Sequence, residues 1–262
     1  MQRTLIVIDA QIDFCDVPGA ALPVNGAVKD VERISSLIDK DLFDSVFSSI
    51  DSHYSMDISH PKWWIDSNGN TVNPFTLIKS DDILNGKFNA IIDPVASLKY
   101  VQDLENNKEF LHFIWPEHCL MGTTGGTLHP TYMAALNAWM HRNKKWVTFI
   151  NKGVNPFTEH FGIFRANVPV SSDASTQINQ NYFNFFSNKD EIVIVGEART
   201  HCVANSLKQM LEFAPQLASK ILVLEDCMSD VGGLPSDFYA SVDKIYSDAY
   251  AMGVRKLKST DL

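Results

Sequence analysis

The sequence predicts an α/β protein of three layers, helix over sheet over helix, built on a mostly parallel sheet. Three observations carry this expectation. Short continuous apolar runs rich in β-branched residues recur along the chain, the form taken by parallel strands buried on both faces. Helical patterns alternate with several of these runs, and strand–helix alternation implies a parallel sheet covered on both sides. Polar residues stand at the carboxyl ends of the runs, where open α/β sheets bind their ligands.

The elements follow in order. Residues 3–10, "RTLIVIDA", read as the first strand, and the Pro- and Gly-bearing stretch after it reads as loop. In "AVKDVERISSLIDK" (27–40), Val28, Val31, Ile34, Leu37 and Ile38 fall at helical spacing. "FDSVFSSID" (43–51) is a second strand ending in Asp51. Residues 54–114 break the rhythm, with many turn residues and no sustained periodicity. They read as a loop-rich insertion over the strand ends, with a hairpin around Asn68-Gly69 and a helix within "SLKYVQDLENNKEF". "KWVTFINKG" (145–153), "DEIVIVGEA" (190–198) and "SKILVLEDC" (219–227) are three further strands. "CVANSLKQMLEFA" has a helical pattern, as does "SDFYASVDKIYSDAYAMG" (236–253), with Ser236 as N-cap and Gly253 as stop. "VRKLK" adds a last edge strand. The expectation is one domain over 1–262 with an insertion at about 54–114.

Bulk properties narrow the function. The 262 residues are 45% hydrophobic and 20% charged, ordinary for a globular enzyme. A net charge of −9 repels nucleic acid and anionic membrane surfaces, which are excluded as partners. No apolar run is long enough to span a bilayer, and the opening "MQRTLIVIDAQ" has a strand pattern rather than that of a leader. Cys15, Cys119, Cys202 and Cys227 are widely spaced, which reads as free thiols in a cytoplasmic protein.

Asp9, Asp51, Lys152 and the Cys202 turn each lie at or just past the end of a predicted strand. The fold therefore gathers them from four parts of the chain. Cys202 sits where a strand turns into a helix, and a helix N-terminus favours thiolate and can hold an oxyanion; a small buried hydrophobe is the plainer alternative. Asp9 closes a wholly apolar strand, a costly position unless the carboxylate is paired or used. It can take the thiol proton and return it to a leaving amine, or simply cap the next loop. Lys152 pairs with Asp9 or polarises a substrate, or else is a solvated lysine. Asp51, His53 and His118 form a set that suits Zn²⁺, Fe²⁺ or Mn²⁺, while His60 reads better as a satisfied loop histidine.

These residues carry a resemblance. "IDAQIDFCDVPGAALPVNGA", "DSHYSMDISH", "WPEHCLMGTTGG", "NKGVNPFTEHFGIF" and "VGEARTHCV" are similar, in the same order, to five motifs of the isochorismatase-like cysteine hydrolase superfamily, nicotinamidase branch. The likeness runs from residue 3 to about 258, outside the insertion. It implies a Rossmann-like, isochorismatase-like fold and a catalytic Asp9, Lys152 and Cys202. It further implies substrate stacking by Phe14 and Trp115, metal ligation by Asp51, His53 and His118, and a non-proline cis peptide at Glu197–Ala198. The backbone N–H groups of Ala198 and Cys202 are the implied oxyanion hole. The implied reaction is hydrolysis of nicotinamide, or a similar small-molecule amide, to acid and ammonia through a thioester, with a divalent metal, zinc first and iron or manganese as alternatives. NAD salvage is the implied setting, and relatives suggest a homo-oligomer.

Departures bear on the substrate. Arg199-Thr200-His201 replaces the family's T-D-Y before the cysteine, so His201 either alters substrate contacts or faces solvent. Tyr54 replaces a proline that often follows the D-x-H segment, and the stretch from His60 to Trp115 is long. The alternatives are a hydrolase of the same superfamily acting on another amide, an N-carbamoyl or a ureido compound, or a non-catalytic member that binds a small molecule. Asp9, Lys152 and Cys202 together speak against the last.

Overall fold

A computed structural model describes residues 1–262. Its centre is a six-stranded sheet in the order β5-β2-β1-β6-β7-β8, with every neighbouring pair parallel. The strands are β1 (Arg3–Ile8), β2 (Ser45–Asp51), β5 (Thr148–Lys152), β6 (Glu191–Gly196), β7 (Ile221–Leu224) and β8 (Arg255–Leu257). The chain builds outward from β1 through β2 to β5, then returns to β6 on the other side of β1. The strand order thus reverses between β1 and β6, the kind of switch point at which ligands bind in open α/β sheets.

Alternation along the strands explains the layers. Leu5 and Val7 of β1 face α1 (Ala27–Asp39) and α4 (Pro130–Asn143), joining Val46, Val193, Leu222 and Trp139 in one core. Ile6 and Ile8 face the other way, into a core with α5 (Gln180–Ser187), α6 (Ala204–Phe213) and α7 (Ser236–Ala251). The expected three-layer α/β/α arrangement is therefore present. The sequence pattern does not predict helices α4 and α5. In α4 only Tyr132, Ala135, Leu136 and Trp139 are buried, and His141 and Arg142 close it, so the apolar stripe is thin.

Segment 54–114 is more ordered than a loop-rich insertion. It holds strands β3 (Trp64–Asp66) and β4 (Phe88–Ala90), paired antiparallel, and helices α2 (Ser80–Leu84) and α3 (Pro94–Asn106). The expected helix starts at Pro94, where the Asp93 carboxylate accepts from the Ala96 N–H at 3.0 Å. The expected hairpin is a tight turn: Gly69 at φ +83° follows Asn68, and Ile65 bridges Thr71. The pairing that builds the small sheet is longer range, Trp64 with Ala90. Trp63, Trp64, Ile78, Tyr100, Val101 and Leu104 form a separate core under this segment. No helix is long and apolar enough to cross a membrane.

Candidate active site

Three polar groups of the site, Asp9, Asp51 and Lys152, stand at or just past strand ends. Asp51 is the last residue of β2 and lies in register with Lys152, the last of β5. Asp9 follows β1 directly, at φ +44°, a left-handed conformation unusual for a residue with a Cβ. Opposite, Gly196 ends β6 at φ +114°, and a Cβ there would lie 2.1 Å from the Ile8 carbonyl oxygen. Only glycine allows β6 to end so close to β1. The chain then passes through the cis peptide Glu197–Ala198 into one π-helical turn, Arg199–Val203, which carries Cys202 into α6.

Lys152 sits at the middle of the cluster, fully buried. Its Nζ lies 2.9 Å from Asp9 Oδ2, 2.9 Å from Asp51 Oδ1 and 3.6 Å from Cys202 Sγ. An ammonium excluded from water is costly alone, and two carboxylates at contact distance compensate it. Ser49, in the middle of β2, donates from Oγ to Asp9 Oδ1 at 2.6 Å and accepts from the Asp9 N–H at 3.0 Å. The amine and the sulfur thus meet at one point, with the acid on the same ammonium, as the sequence reading requires.

The electrostatics decide which protons are present. Burial disfavours a charge on Lys152, but Asp51, Asp9 and Cys202 outweigh it and hold its pKa well above the ordinary value. Lys152 is an ammonium. Burial raises the Asp9 pKa, and the Lys152 charge opposes the rise without cancelling it. Burial also pushes the Cys202 thiol well up, against Lys152 and with help from Asp9 and Asp51. Desolvation and the two carboxylates thus oppose the preference for thiolate that a helix N-terminus gives Cys202. The same burial makes Asp9 a stronger base than a solvated aspartate.

On the far side of Asp51 lies a candidate metal centre. The ligand atoms of Asp51, His53 and His118 lie within 4.8 Å of one another, and all three residues are buried. His53 Nε2 is 3.1 Å and His118 Nε2 3.7 Å from Asp51 Oδ2. The second ring nitrogens are engaged: His53 Nδ1 with Asp57 Oδ2 at 3.1 Å, and His118 Nδ1 with the Pro116 carbonyl at 2.8 Å. Those bonds occupy both Nδ1 atoms and turn both Nε2 atoms towards the Asp51 carboxylate, so that with both rings neutral the three residues would offer a divalent cation two nitrogens and an oxygen. Burial opposes a charge on His53, yet Asp51 and Asp57 hold its pKa well above the ordinary value. His60 is a satisfied loop histidine: its Nδ1 lies 2.9 Å from the Tyr54 carbonyl and its Nε2 faces the His118 ring.

The walls above Cys202 are Phe14, Leu22, Trp115, Phe161, Ala198, His201 and Val231. Phe14 meets His118 edge to face at 5.4 Å, and Phe14 and Trp115 both line the pocket. The pocket is tight, with about 20 Å³ of free cavity, room for little more than one water. An aromatic ring enters it only if these side chains move. His201 does not face solvent. Its ring stacks on Phe238 at 5.0 Å and meets Trp115 edge to face at 4.9 Å. Burial pushes its pKa down to about 3, so it is neutral. The Ala198 N–H, one half of the expected oxyanion hole, donates to no group of the protein.

Three residues essential to this geometry escaped the sequence reading. Ser49 anchors Asp9, and its signal was a serine pair inside an otherwise apolar strand. Gln11 donates from Nε2 to the Asp51 and Gly126 carbonyls and accepts from the Asp51 N–H, tying the loop after β1 to the metal side. Asp13 accepts from the Cys119 N–H at 2.7 Å and from the Ala21 N–H at 3.0 Å. Gln11 and Asp13 stand in the opening motif, but nothing in the sequence alone tells a loop clamp from a ligand.

No protein-family model matches the chain. The Escherichia coli (strain K12) nicotinamidase is 24% identical over 238 residues, 90% of this chain and 86% of that one. Among solved structures, an Acinetobacter baumanii nicotinamidase/pyrazinamidase superposes with a TM-score of 0.65 at 21% identity, covering 99% of this chain and 97% of that one. The yeast nicotinamidase gives 0.65 at 21% identity, covering 98% and 99%. A Pyrococcus horikoshii pyrazinamidase in complex with zinc gives 0.54 at 15%, covering 98% and 99%. The isochorismatase-like α/β fold is shared throughout.

Proposed function

We propose that this chain is a cysteine-nucleophile amidohydrolase that converts nicotinamide and water to nicotinic acid and ammonia. The observation that carries the reading is Lys152 Nζ within 2.9 Å of Asp9 and 3.6 Å of the Cys202 sulfur, fully buried, next to a pocket walled by aromatic side chains. A buried acid, amine and thiol in contact form the minimal set for an acyl-enzyme mechanism.

Asp9 takes the Cys202 proton as the sulfur attacks the amide carbon. Lys152 stabilises the charge that passes between carboxylate and sulfur, and keeps Asp9 oriented. The oxyanion is held by the backbone N–H groups of Ala198 and Cys202. Asp9 then gives the proton to the departing nitrogen, the C–N bond breaks, and ammonia leaves a thioester on Cys202. Asp9 next removes a proton from water, whose oxygen attacks the thioester, and returns it to sulfur as the acid departs. Phe14 and Trp115 hold the ring. Asp51, His53 and His118 would hold a divalent metal, zinc in this proposal. When bound, such an ion supplies a Lewis acid for a ring nitrogen and so orients the substrate rather than the nucleophile.

In this reading the chain acts as one hydrolase domain, with segment 54–114 an insertion that roofs the pocket. Four free thiols suit a reducing cytoplasm and a role in NAD salvage. Self-association would use the open β5 edge, where Trp146 and Phe149 are 84% and 40% exposed. The test is ammonia release from nicotinamide by the metal-loaded enzyme, with Cys202→Ala as control. Saturable release lost in the variant is the expected result. No release from nicotinamide, with turnover of carbamoyl or ureido compounds, refutes it.

A further inference from the structure

Beyond the tight pocket over Cys202 lies a second cavity of about 310 Å³. The two share a wall of Trp115, Phe161 and His201. Segment 54–114 supplies Phe110, Leu111 and Phe113 to the outer cavity, and the N-terminal part of α7 supplies Phe238 and Ser241. Its size falls in the range of roughly 300–1,000 Å³ found for small-molecule sites, whereas the inner pocket does not. The partition is aromatic: the His201 ring contacts Trp115, Phe161, Phe110 and Phe238 at centroid distances of 4.9, 5.5, 5.8 and 5.0 Å.

The charge pattern selects the occupant. The charged side chains lining the outer cavity are carboxylates, Glu109 and Asp237. Glu109 is already neutralised by Arg165 at 3.0 Å and Lys208 at 3.0 Å. No lysine or arginine lines the cavity, so a negatively charged group would enter it without a counter-charge. Leu77, Phe110, Leu111, Phe113 and Phe238 make the wall mostly apolar, which favours an uncharged, apolar group.

We propose that the outer cavity is a substrate subsite for an uncharged apolar group carried by the amide, with His201 as the specificity-determining partition between that group and the reacting carboxamide. This rests on the amidohydrolase reading above and adds the substrate class. The chain prefers extended aromatic amides over nicotinamide itself. The bond broken is unchanged: the acyl C–N bond is hydrolysed, and the nitrogen leaves protonated as ammonia or, from an N-substituted amide, as the amine.

The experiment compares steady-state kinetics on nicotinamide, 5-phenylnicotinamide, N-benzylnicotinamide and a 5-(carboxyphenyl) analogue. The two phenyl arms distinguish an extension on the ring from one on the amide nitrogen. At least one should have a KM tenfold or more below that of nicotinamide, and the carboxylate analogue should lose the advantage. Ser241→Trp, which fills the cavity from exposed helix surface, should erase the KM advantage and leave kcat/KM for nicotinamide within twofold. Leu111→Asp, on the opposite wall, should do the same and guards against a local distortion of α7. Nicotinamide turnover with no KM advantage for either phenyl amide overturns the subsite alone, as does an advantage that both variants leave intact. No turnover of any amide overturns the hydrolase reading, and the subsite with it.

Discussion

The sheet's strand ends and the segment 54–114 contribute to one site in opposite ways. At the strand ends, Asp9, Asp51 and Lys152 are buried polar groups fixed by contacts at 2.6–2.9 Å, on strands that cannot shift without breaking the sheet. The segment contributes apolar rings from outside the sheet, carried by a small core of its own. The first arrangement suits chemistry, which needs groups held to a fraction of an ångström. The second suits selection, because side chains on a separately packed segment can change without disturbing the sheet.

The sharpest way to break that division is to remove the chemistry and keep the walls. Cys202→Ala is expected to lower kcat on the preferred amide by at least about 10⁴-fold, roughly 5.5 kcal/mol, with the fold and ligand binding retained. Asp9→Asn should cost about 10³-fold in kcat, since Lys152 then faces one carboxylate and the thiol has no base. Stopped-flow and steady-state rates measure both. An Asp9→Asn enzyme with unchanged kcat would move the base elsewhere.

The converse change attacks the segment. Trp64 is fully buried in its core and donates from Nε1 to the Ile58 carbonyl at 2.7 Å. Trp64→Ala should destabilise by about 3–5 kcal/mol, read from denaturant unfolding. Below the melting range it should raise KM while kcat stays within about threefold. A fall in kcat comparable to that of Asp9→Asn would mean that the segment positions the reacting groups, and the division would fail.

How far each region was legible follows the same line. Strand ends are readable because a charge closing an apolar run has few physical excuses, and parallel topology brings such ends together: that rule gathers Asp9, Asp51 and Lys152 beside the Cys202 turn, while the roles given to Asp9, Lys152 and Cys202 came through motif likeness. The metal set and the wall residues Phe14 and Trp115 came through motif likeness, since D-x-H by spacing is weak. The segment was illegible for a physical reason. Its strands have three residues each, too short to display a period, and its core joins Trp64 to Ala90 across the chain. The thiolate preference expected at Cys202 is opposed by burial. A helix N-terminus can be read from sequence, but the desolvation that opposes it depends on tertiary packing.

A third test separates the metal side from the nucleophile side within the strand ends. Removing metal with a chelator should raise KM about 10–100-fold, leave the Cys202 chemistry on the bound amide largely intact, and not unfold the chain. Lys152 still bridges Asp9 and Asp51, so the sheet ends remain compensated. Burial opposes a charge on His53, but Asp51 and Asp57 raise its pKa, so protons compete with metal for its Nε2. Metal affinity should therefore fall as pH is lowered, measurable by titration with a metal indicator. Kinetics identical with and without metal would refute the ligand assignment.

The smallest expected effect lies just beneath the nucleophile turn. Glu197 is fully buried; its Oε2 accepts from the Ser229 N–H at 3.3 Å, and Asp30, itself paired with Arg33 at 3.1 Å, lies beside it. Burial, then the Asp30 charge, raise the Glu197 pKa well above its ordinary value. Below the unfolded value, about 4.3, folded and unfolded chains are both protonated and the folded state loses nothing. Above it the unfolded chain ionises first, folding must take up a proton, and stability falls as pH rises towards the folded pKa. Glutamine keeps the neutral form's shape and does not ionise. Glu197→Gln should therefore flatten this part of the stability–pH curve and, at pH 8, raise stability by on the order of 1 kcal/mol, a Tm gain of about 2–4 °C. Its kcat should stay within about threefold, because no step of the hydrolysis uses a charge at 197. A variant less stable than wild type at pH 8 would mean that Glu197 is ionised in the fold, and that the strand ends hold a further compensated charge rather than a neutral acid.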